Sequence, residues 1–446
     1  MTPPLTNPAP PTGLQLQPDM PICQQDLPLD RYDEPFRPYA EEYLALPDRT
    51  PETVLPWLDR YVIPATEHFG DSLLLLAHFY MGGDIVKLVE RYGGAVADSY
   101  VLALQARSQP EKKVIVESAV HFMAETVSIL AAEDQSVWIT NPRAGCTMEM
   151  MAKDWMVQPI AEQLVARYGD AIATVAYMNT SGRLKALAGR TGGAVCTSSN
   201  AHHVVAATMQ TSEKVFFVPD EHLGDNTAHR LGIDRDRVVV LPDARTLPRD
   251  FDLSDLPGGL ERLDAAEMIL WGGFCGVHTV FTTEQVAWWH DQGWEVHVHP
   301  ECPLEVVLAA DGAGSTKYLW SLISNAAPGS KLVIGTEGHF VRNAIEHAAS
   351  RGVEVRALTD VPGASAAGCG CATMSRNDPP HLAGMLDLLR RGEAPEINRV
   401  LPGDRIDEIS GQRTRLEPAE RDTLVREAGL ALQRMIDFTE QVRTET

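Results

Sequence analysis

The sequence predicts an α/β protein with parallel sheets, organised as a triplicated module. Three observations predict it. Short β-branched runs alternate with amphipathic helical runs, the pattern of parallel strands joined by helical crossovers. The chain has 446 residues, room for roughly three domains at about 150 residues each. Four kinds of polar or cysteine-bearing segment also recur in the same order three times, and such a repeat constrains architecture more than any single motif does.

The elements follow in chain order. Residues 1–30 are rich in proline, as in MTPPLTNPAPPTG, and are expected to be a disordered extension. A helical lead-in is expected from about residue 30 to residue 68. Strands are expected at KKVIVESA, SVWITNP, VFFVPD, RVVVLPD, EMILWGG, EVHVHPE, KLVIGTEG and VEVRALTD. Helices are expected at DIVKLVERYGG, TVSILAAEDQ, PIAEQLVARYG, FVRNAIEHAASRG and LAGMLDLLRRG, with a helical finish over the last 30 residues. The expected domains are 31–150, completed by C-terminal helices in 375–446, then 151–277, then 278–374.

Each copy of the repeat opens on a polar pair at positions i and i+2 of a strand end: His78 and Tyr80, Tyr177 and Asn179, His299 and Glu301. Residues so spaced point the same way, toward one cleft. A small-residue loop with a hydroxyl follows: Ser99, Ser198, then Ser315 with Thr316. From the opening residue to Ser99, Ser198 and Thr316 the offsets are 21, 21 and 17 residues. Next comes a strand ending near His121, His222 or His339, and each copy closes on a glycine-flanked cysteine: Cys146, Cys275, and the pair Cys369 and Cys371.

Three such modules packed about a pseudo-threefold axis bring one cysteine each to a common point. Three thiolates suit zinc or an iron–sulfur cluster, and either leaves a position open for a substrate oxygen. The local cysteine spacing matches neither a zinc finger nor a ferredoxin, so the repeat alone carries this reading. Taken singly, each cysteine reads as a small buried residue. The hydroxyl loops stand where helices should begin, and helix N-termini favour carboxylate or phosphate; taken singly, each is an N-cap. His299 and Glu301 suit proton transfer, with Tyr80 and Tyr177 as weaker acids. HPE shares its H-x-E with the zinc deaminases, but their downstream P-C-x-x-C is missing here. GAGSTK lacks the spacer of a phosphate-binding P-loop.

The composition narrows the classes further. A formal charge of −23, from 38 basic and 61 acidic residues, disfavours general binding to nucleic acid or anionic membranes. The chain contains no apolar run near the ~18 residues of a membrane span. The N-terminus lacks the basic start and apolar core of a signal peptide, so a cytoplasmic location is the default expectation. Seven cysteines in so long a chain do not read as a disulfide framework.

From about Asp71 to Ile436 the chain resembles the quinolinate synthase (NadA) family. The matching segments are VHFMAET (120–126), AGC (144–146), YMNTS (177–181), CTSSNA (196–201), GFCGVH (273–278), VHPECPLEV (298–306), GST (314–316), IGTE (334–337) and C-x-x-M (371–374). The resemblance implies three homologous αβα domains around a pseudo-threefold axis and a [4Fe–4S] cluster on three cysteines. It implies condensation of iminoaspartate with dihydroxyacetone phosphate to quinolinate, in de novo NAD biosynthesis, with a functional link to L-aspartate oxidase. Carried over by residue, it makes Cys146, Cys275 and Cys371 the cluster ligands, Cys371 because Met374 follows it by three. It makes Ser99, Asn179, Ser198, His278 and Thr316 substrate-binding residues, the serines, Asn179 and Thr316 for phosphate and carboxylates, with His278 following the second cysteine. It assigns His78, Tyr80, Tyr177, His299 and Glu301 to catalysis. Cys302 then becomes a bystander packed behind its strand. The chain departs from the family pattern in having Ala97 before Asp98-Ser99 and in its GCGCATMSRND segment, and it carries roughly 40 residues between Leu223 and Met268.

Overall fold

The structure is a computed structural model that describes residues 27–81, 83–362, 371, 373–407, 410 and 412–445. Most of the proline-rich extension therefore lies outside the described residues, as does Cys369. The described chain opens with α1 (Arg37–Leu44) and α2 (Pro51–Phe69). Proline begins α2, where a fixed φ and a missing N–H cost nothing.

A first parallel sheet follows: β1 (Leu73–His78), α3 (Gly83–Arg91), β2 (Ala95–Ala97), α4 (Ser99–Ser108), β3 (Val114–Ser118), α5 (His121–Leu130) and β4 (Ser136–Ile139). Its strand order is β2-β1-β3-β4. After α6 (Thr147–Met151) and α7 (Asp154–Tyr168) comes a second: β5 (Ile172–Tyr177), α8 (Gly182–Arg190), β6 (Val195–Cys196), α9 (Ala201–Thr208), β7 (Lys214–Val218), α10 (Glu221–Arg230), β8 (Val238–Asp243), α11 (Gly259–Ala265) and β9 (Met268–Gly272). Its order is β6-β5-β7-β9-β8. The third holds α12 (Thr283–Asp291), β10 (Glu295–Val298), α13 (Leu304–Ala309), β11 (Gly312–Ala313), α14 (Thr316–Asn325), β12 (Lys331–Gly335), α15 (Gly338–Ala349) and β13 (Glu354–Ala357), in the order β11-β10-β12-β13. All strand pairs in these sheets are parallel. The chain closes with α16 (Pro379–Arg391), a hairpin of β14 (Arg405–Ile406) and β15 (Arg413–Thr414), and α17 (Pro418–Glu445).

The same winding thus occurs three times, as the triplicated α/β reading expects. The second sheet differs by one strand: the extra residues before Met268 form β8, which pairs outside β9 with an irregular register between Val240 and Asp243. Helices cover both faces of the sheets, so strands bury alternate side chains on opposite sides. In β1, Leu73, Leu75 and Ala77 enter one apolar cluster and Leu74 and Leu76 another. That two-sided burial explains why β1, a leucine run without alternation, and β5 are absent from the expected strands.

Two other expectations shift. The helix expected over TVSILAAEDQ begins five residues earlier, at His121, and ends at Leu130, where Ala131 turns extended. Both C-terminal helices are expected to complete the first unit; α16 packs against α2 and β3, whereas α17 lies along α8 and α9 beside the second sheet. Tyr32 and Tyr39 anchor the lead-in to α16 by donating to Asp378 (2.5 Å) and Asp387 (2.7 Å).

The seat of α17 depends on Gly189. A Cβ there would stand 1.9 Å from the Glu427 carbonyl oxygen, and Arg434 donates to the Gly189 and Gly193 carbonyls at 3.1 and 2.7 Å. Gly189→Ala should therefore push α17 off α8 and cost about 1–3 kcal/mol. A lowered thermal midpoint, with protease cleavage appearing in α17, is the expected result; an unchanged midpoint would refute the close approach.

Candidate functional site

The C-terminal ends of the three sheets open on one cleft. His78 and Tyr177 end β1 and β5, and His299 directly follows β10. Tyr80, Asn179 and Glu301, two residues further on, reach the same cleft, as do Ser99, Ser198 and Thr316. Ser99 and Thr316 are the first residues of α4 and α14. Ser198 lies in the turn before α9, whose N-cap is Asn200, so only two of the three hydroxyls stand at a helix start.

The i, i+2 pairs share a local device. His78 Nδ1 accepts from the Tyr80 amide at 3.1 Å, and His299 Nδ1 from the Glu301 amide at 3.4 Å. That engagement leaves the proton of each neutral ring on Nε2. Burial pushes the pKa of both histidines down to about 3, so both are neutral at pH 7. Tyr80 bonds Thr316 through its hydroxyl at 2.7 Å and Thr336 at 3.3 Å, linking the first unit to the third.

Glu301, only 3% exposed, is the hub of the floor. Tyr177 donates to its Oε1 at 2.5 Å, and His278 Nδ1 lies 2.8 Å from its Oε2. Burial works to raise the Glu301 pKa; the attraction of His278 and His299 and the bonds from His278 and Tyr177 prevail, and the group is held below the usual carboxylate range. Asp220, the fully buried N-cap of α10, moves the other way: burial, then the Glu301 charge, raise it well above its ordinary value. The two carboxyls are thus shifted in opposite directions. The Tyr177 hydroxyl is likewise made a weaker acid by burial and the Glu301 charge.

His278 joins this floor to the cysteines. Its Nδ1 also lies 3.1 Å from Cys275 Sγ, its Nε2 is 3.0 Å from Thr336 Oγ1, and its ring stacks on His299 with centroids 4.6 Å apart. Cys146, Cys275 and Cys371 come within electrostatic reach of one another. Burial, then the Cys371 charge, push the Cys146 thiol up; burial, then Glu301, Cys146 and Cys371, do so for Cys275. Burial raises Cys371 as well, while the Thr373 hydroxyl 3.0 Å from its sulfur works in the opposite direction. Separate thiolates would be poorly solvated there and would repel one another. A soft cation shared by all three removes both penalties, so the donor set fits a thiolate-bound metal centre. Cys302 lies instead in the apolar cluster with Val296, Val298 and Val333.

Thr336 and Glu337 carry roles that were not assigned from the sequence. Glu337 caps α15, accepts the Cys371 amide at 2.9 Å and pairs with His339 at 2.8 Å. It thereby fixes the third cysteine to the end of β12. The IGTE segment was the available signal; which partners it serves is visible only in three dimensions. Downstream, Asn377 donates to the Ala119 carbonyl at 3.0 Å and accepts from Thr140 at 2.7 Å, fastening the same segment to the first unit. The VHFMAET segment also has a structural use: Glu125 accepts the Gly182 and Gly403 amides, both at 2.7 Å, and His121 meets Glu149 at 3.2 Å.

Comparison with known proteins points one way. Residues 65–399 match the family model NadA, described as "Quinolinate synthetase A protein". The chain is 39% identical over 337 residues to a quinolinate synthase of Geobacillus kaustophilus, covering 75% of this chain and 85% of the relative. It is 37% identical over 363 residues to one of Bacillus cereus, covering 78% and 92%.

The two cleft histidines set an acid limit on stability. Their folded pKa of about 3 lies below the ordinary 6.5, so the unfolded chain binds more protons between these values. Their contribution is complete above pH ~6.5 and is lost as pH falls toward 3, by at most about 1.4 kcal/mol per pH unit for each ring. Melting curves between pH 7 and 4 should show this fall, with a shallower slope in His299→Gln; equal slopes would contradict it.

Proposed function

Since the chain belongs to the NadA, or quinolinate synthetase A, family, we propose that it condenses iminoaspartate with dihydroxyacetone phosphate to give quinolinate, phosphate and two waters. Atoms and electrons balance without an external oxidant. The enzyme would act in the cytoplasm, in NAD biosynthesis, drawing its labile imine from an L-aspartate oxidase. The observation that carries the reading is the Glu301 carboxylate, held by Tyr177 and by a histidine that touches Cys275, on the floor of a cleft walled by three strand ends.

Cys146, Cys275 and Cys371 would hold a [4Fe–4S] cluster, which when bound supplies a Lewis-acidic iron open to a substrate oxygen. The remaining roles belong to the chain. Ser99, Asn179, Ser198 and Thr316 bind the carboxylates and phosphate of the substrates, assisted by the α4 and α14 N-termini. Glu301, ionised, takes a proton from substrate carbon, and Tyr177 returns one through their shared hydrogen bond. His299 and His78 present Nε2–H groups that stabilise negative charge developing on substrate oxygen. His278 orients Glu301, and Tyr80 orients Thr316. The narrow, buried floor keeps bulk water from the imine.

A second donor set, Cys275, His278 and Glu301, has ligand atoms within 4.8 Å of one another and would suit zinc. Metal analysis separates the two. Protein prepared without oxygen should be brown, contain about four irons and form quinolinate. Cys371→Ala should lose iron and turnover, while Cys302→Ala and Cys369→Ala retain both. Glu301→Gln should retain iron and lose at least about 100-fold in turnover. A colourless, zinc-loaded protein fully active in air would overturn the proposal.

A further inference from the structure

A phosphate dianion entering this cleft needs compensating positive charge. The cleft wall holds two carboxyls, Asp98 and Glu301, and two imidazoles, His78 and His299. Burial keeps both rings neutral at pH 7. Among the described residues that line the cleft, Lys317 alone brings a permanent positive charge. It is the second residue of α14, directly after Thr316. Asp98, the N-cap of α4, also lines the cleft, and its Oδ1 accepts the Val101 amide at 2.9 Å. The Lys317 charge reaches Asp98, opposing the effect of burial on its carboxyl. The third unit's lysine and the first unit's aspartate thus line the same cleft.

Depth orders these groups. Lys317 is exposed, Thr316 is 8% exposed, and Glu301 and His299 are 3% and 2% exposed. The cation stands at the mouth and the proton-transfer groups at the floor. A substrate with its phosphate at the mouth presents its carbon end to the floor, and phosphate released there faces solvent. A lysine suits that task, because its ammonium is a mobile point charge that can follow a departing phosphate.

We propose that Lys317 is a substrate-binding residue that holds the phosphate of dihydroxyacetone phosphate at the cleft mouth. This inference rests on the reaction proposed above. It distinguishes the two substrates: the triose phosphate meets a lysine in addition to the hydroxyls and helix N-termini, whereas iminoaspartate meets only the latter.

The test uses the iron-loaded full chain and its Lys317→Met and Lys317→Arg variants. Because the side chain is exposed, both variants should melt with the wild type. Two quantities are measured: the KM for each substrate during quinolinate formation, and equilibrium dialysis of labelled dihydroxyacetone phosphate without iminoaspartate. Lys317→Met should raise the KM for the triose phosphate about 10- to 100-fold and weaken its binding alike. It should change kcat and the KM for iminoaspartate by less than about threefold, and Lys317→Arg should recover most of the loss. Unchanged triose phosphate binding, or equal losses for both substrates, overturns the assignment. If the wild type binds the triose phosphate but makes no quinolinate, the reaction falls and the binding comparison still judges the lysine. If the wild type makes quinolinate and Lys317→Met matches it, the lysine alone falls.

Discussion

A carboxylate removed from water must be matched by donors, and Glu301 finds its donors in other parts of the fold. Tyr177 reaches it from the end of β5, and His278 from the segment after β9. His278 in turn meets Cys275 and Thr336, and Thr336 meets Tyr80. One buried negative charge therefore ties all three sheets to one another and to a cysteine. Removing a partner would strand a buried charge, which costs several kcal/mol. The same interaction sets the acid–base pattern of the floor: Glu301 is held below the usual carboxylate range, and its charge helps to push Asp220 above it.

Much of this architecture could be read from residue order. The polar pairs, hydroxyl loops and glycine-flanked cysteines recur because each unit repeats one winding, and strand ends are where a parallel sheet presents polar groups. His78, Tyr177 and His299 were legible as strand-end residues for that reason. Strands of two or three residues, such as β2, β6 and β11, carry too little pattern to show. The leucines of β1 are buried on both faces and so lack alternation. The roles of Thr336 and Glu337 were invisible because each serves partners far away in sequence. Glu337 reaches Cys371 across 34 residues, a pairing that no local period encodes.

The three units resemble one another in winding but divide the work. The first and third share the histidine turn, in which a ring nitrogen accepts the amide two residues on. The second replaces that histidine with Tyr177, whose hydroxyl serves Glu301 instead. The second also carries β8 at its edge and α17 along its helices, whereas α16 and the lead-in helices cover the first. A repeated scaffold thus places unlike chemistry at equivalent positions, and the cleft is asymmetric although the three sheets share one winding.

The wide separation of Cys146, Cys275 and Cys371 along the chain has a consequence for biosynthesis. The first two cysteines leave the ribosome long before the third, and Glu337, which orients the third, appears shortly before it. The three thiols can therefore come together only after residue 371 of the 446 has been made. The approach of the three thiols is for that reason a late event in folding, and it reports that all three units have formed.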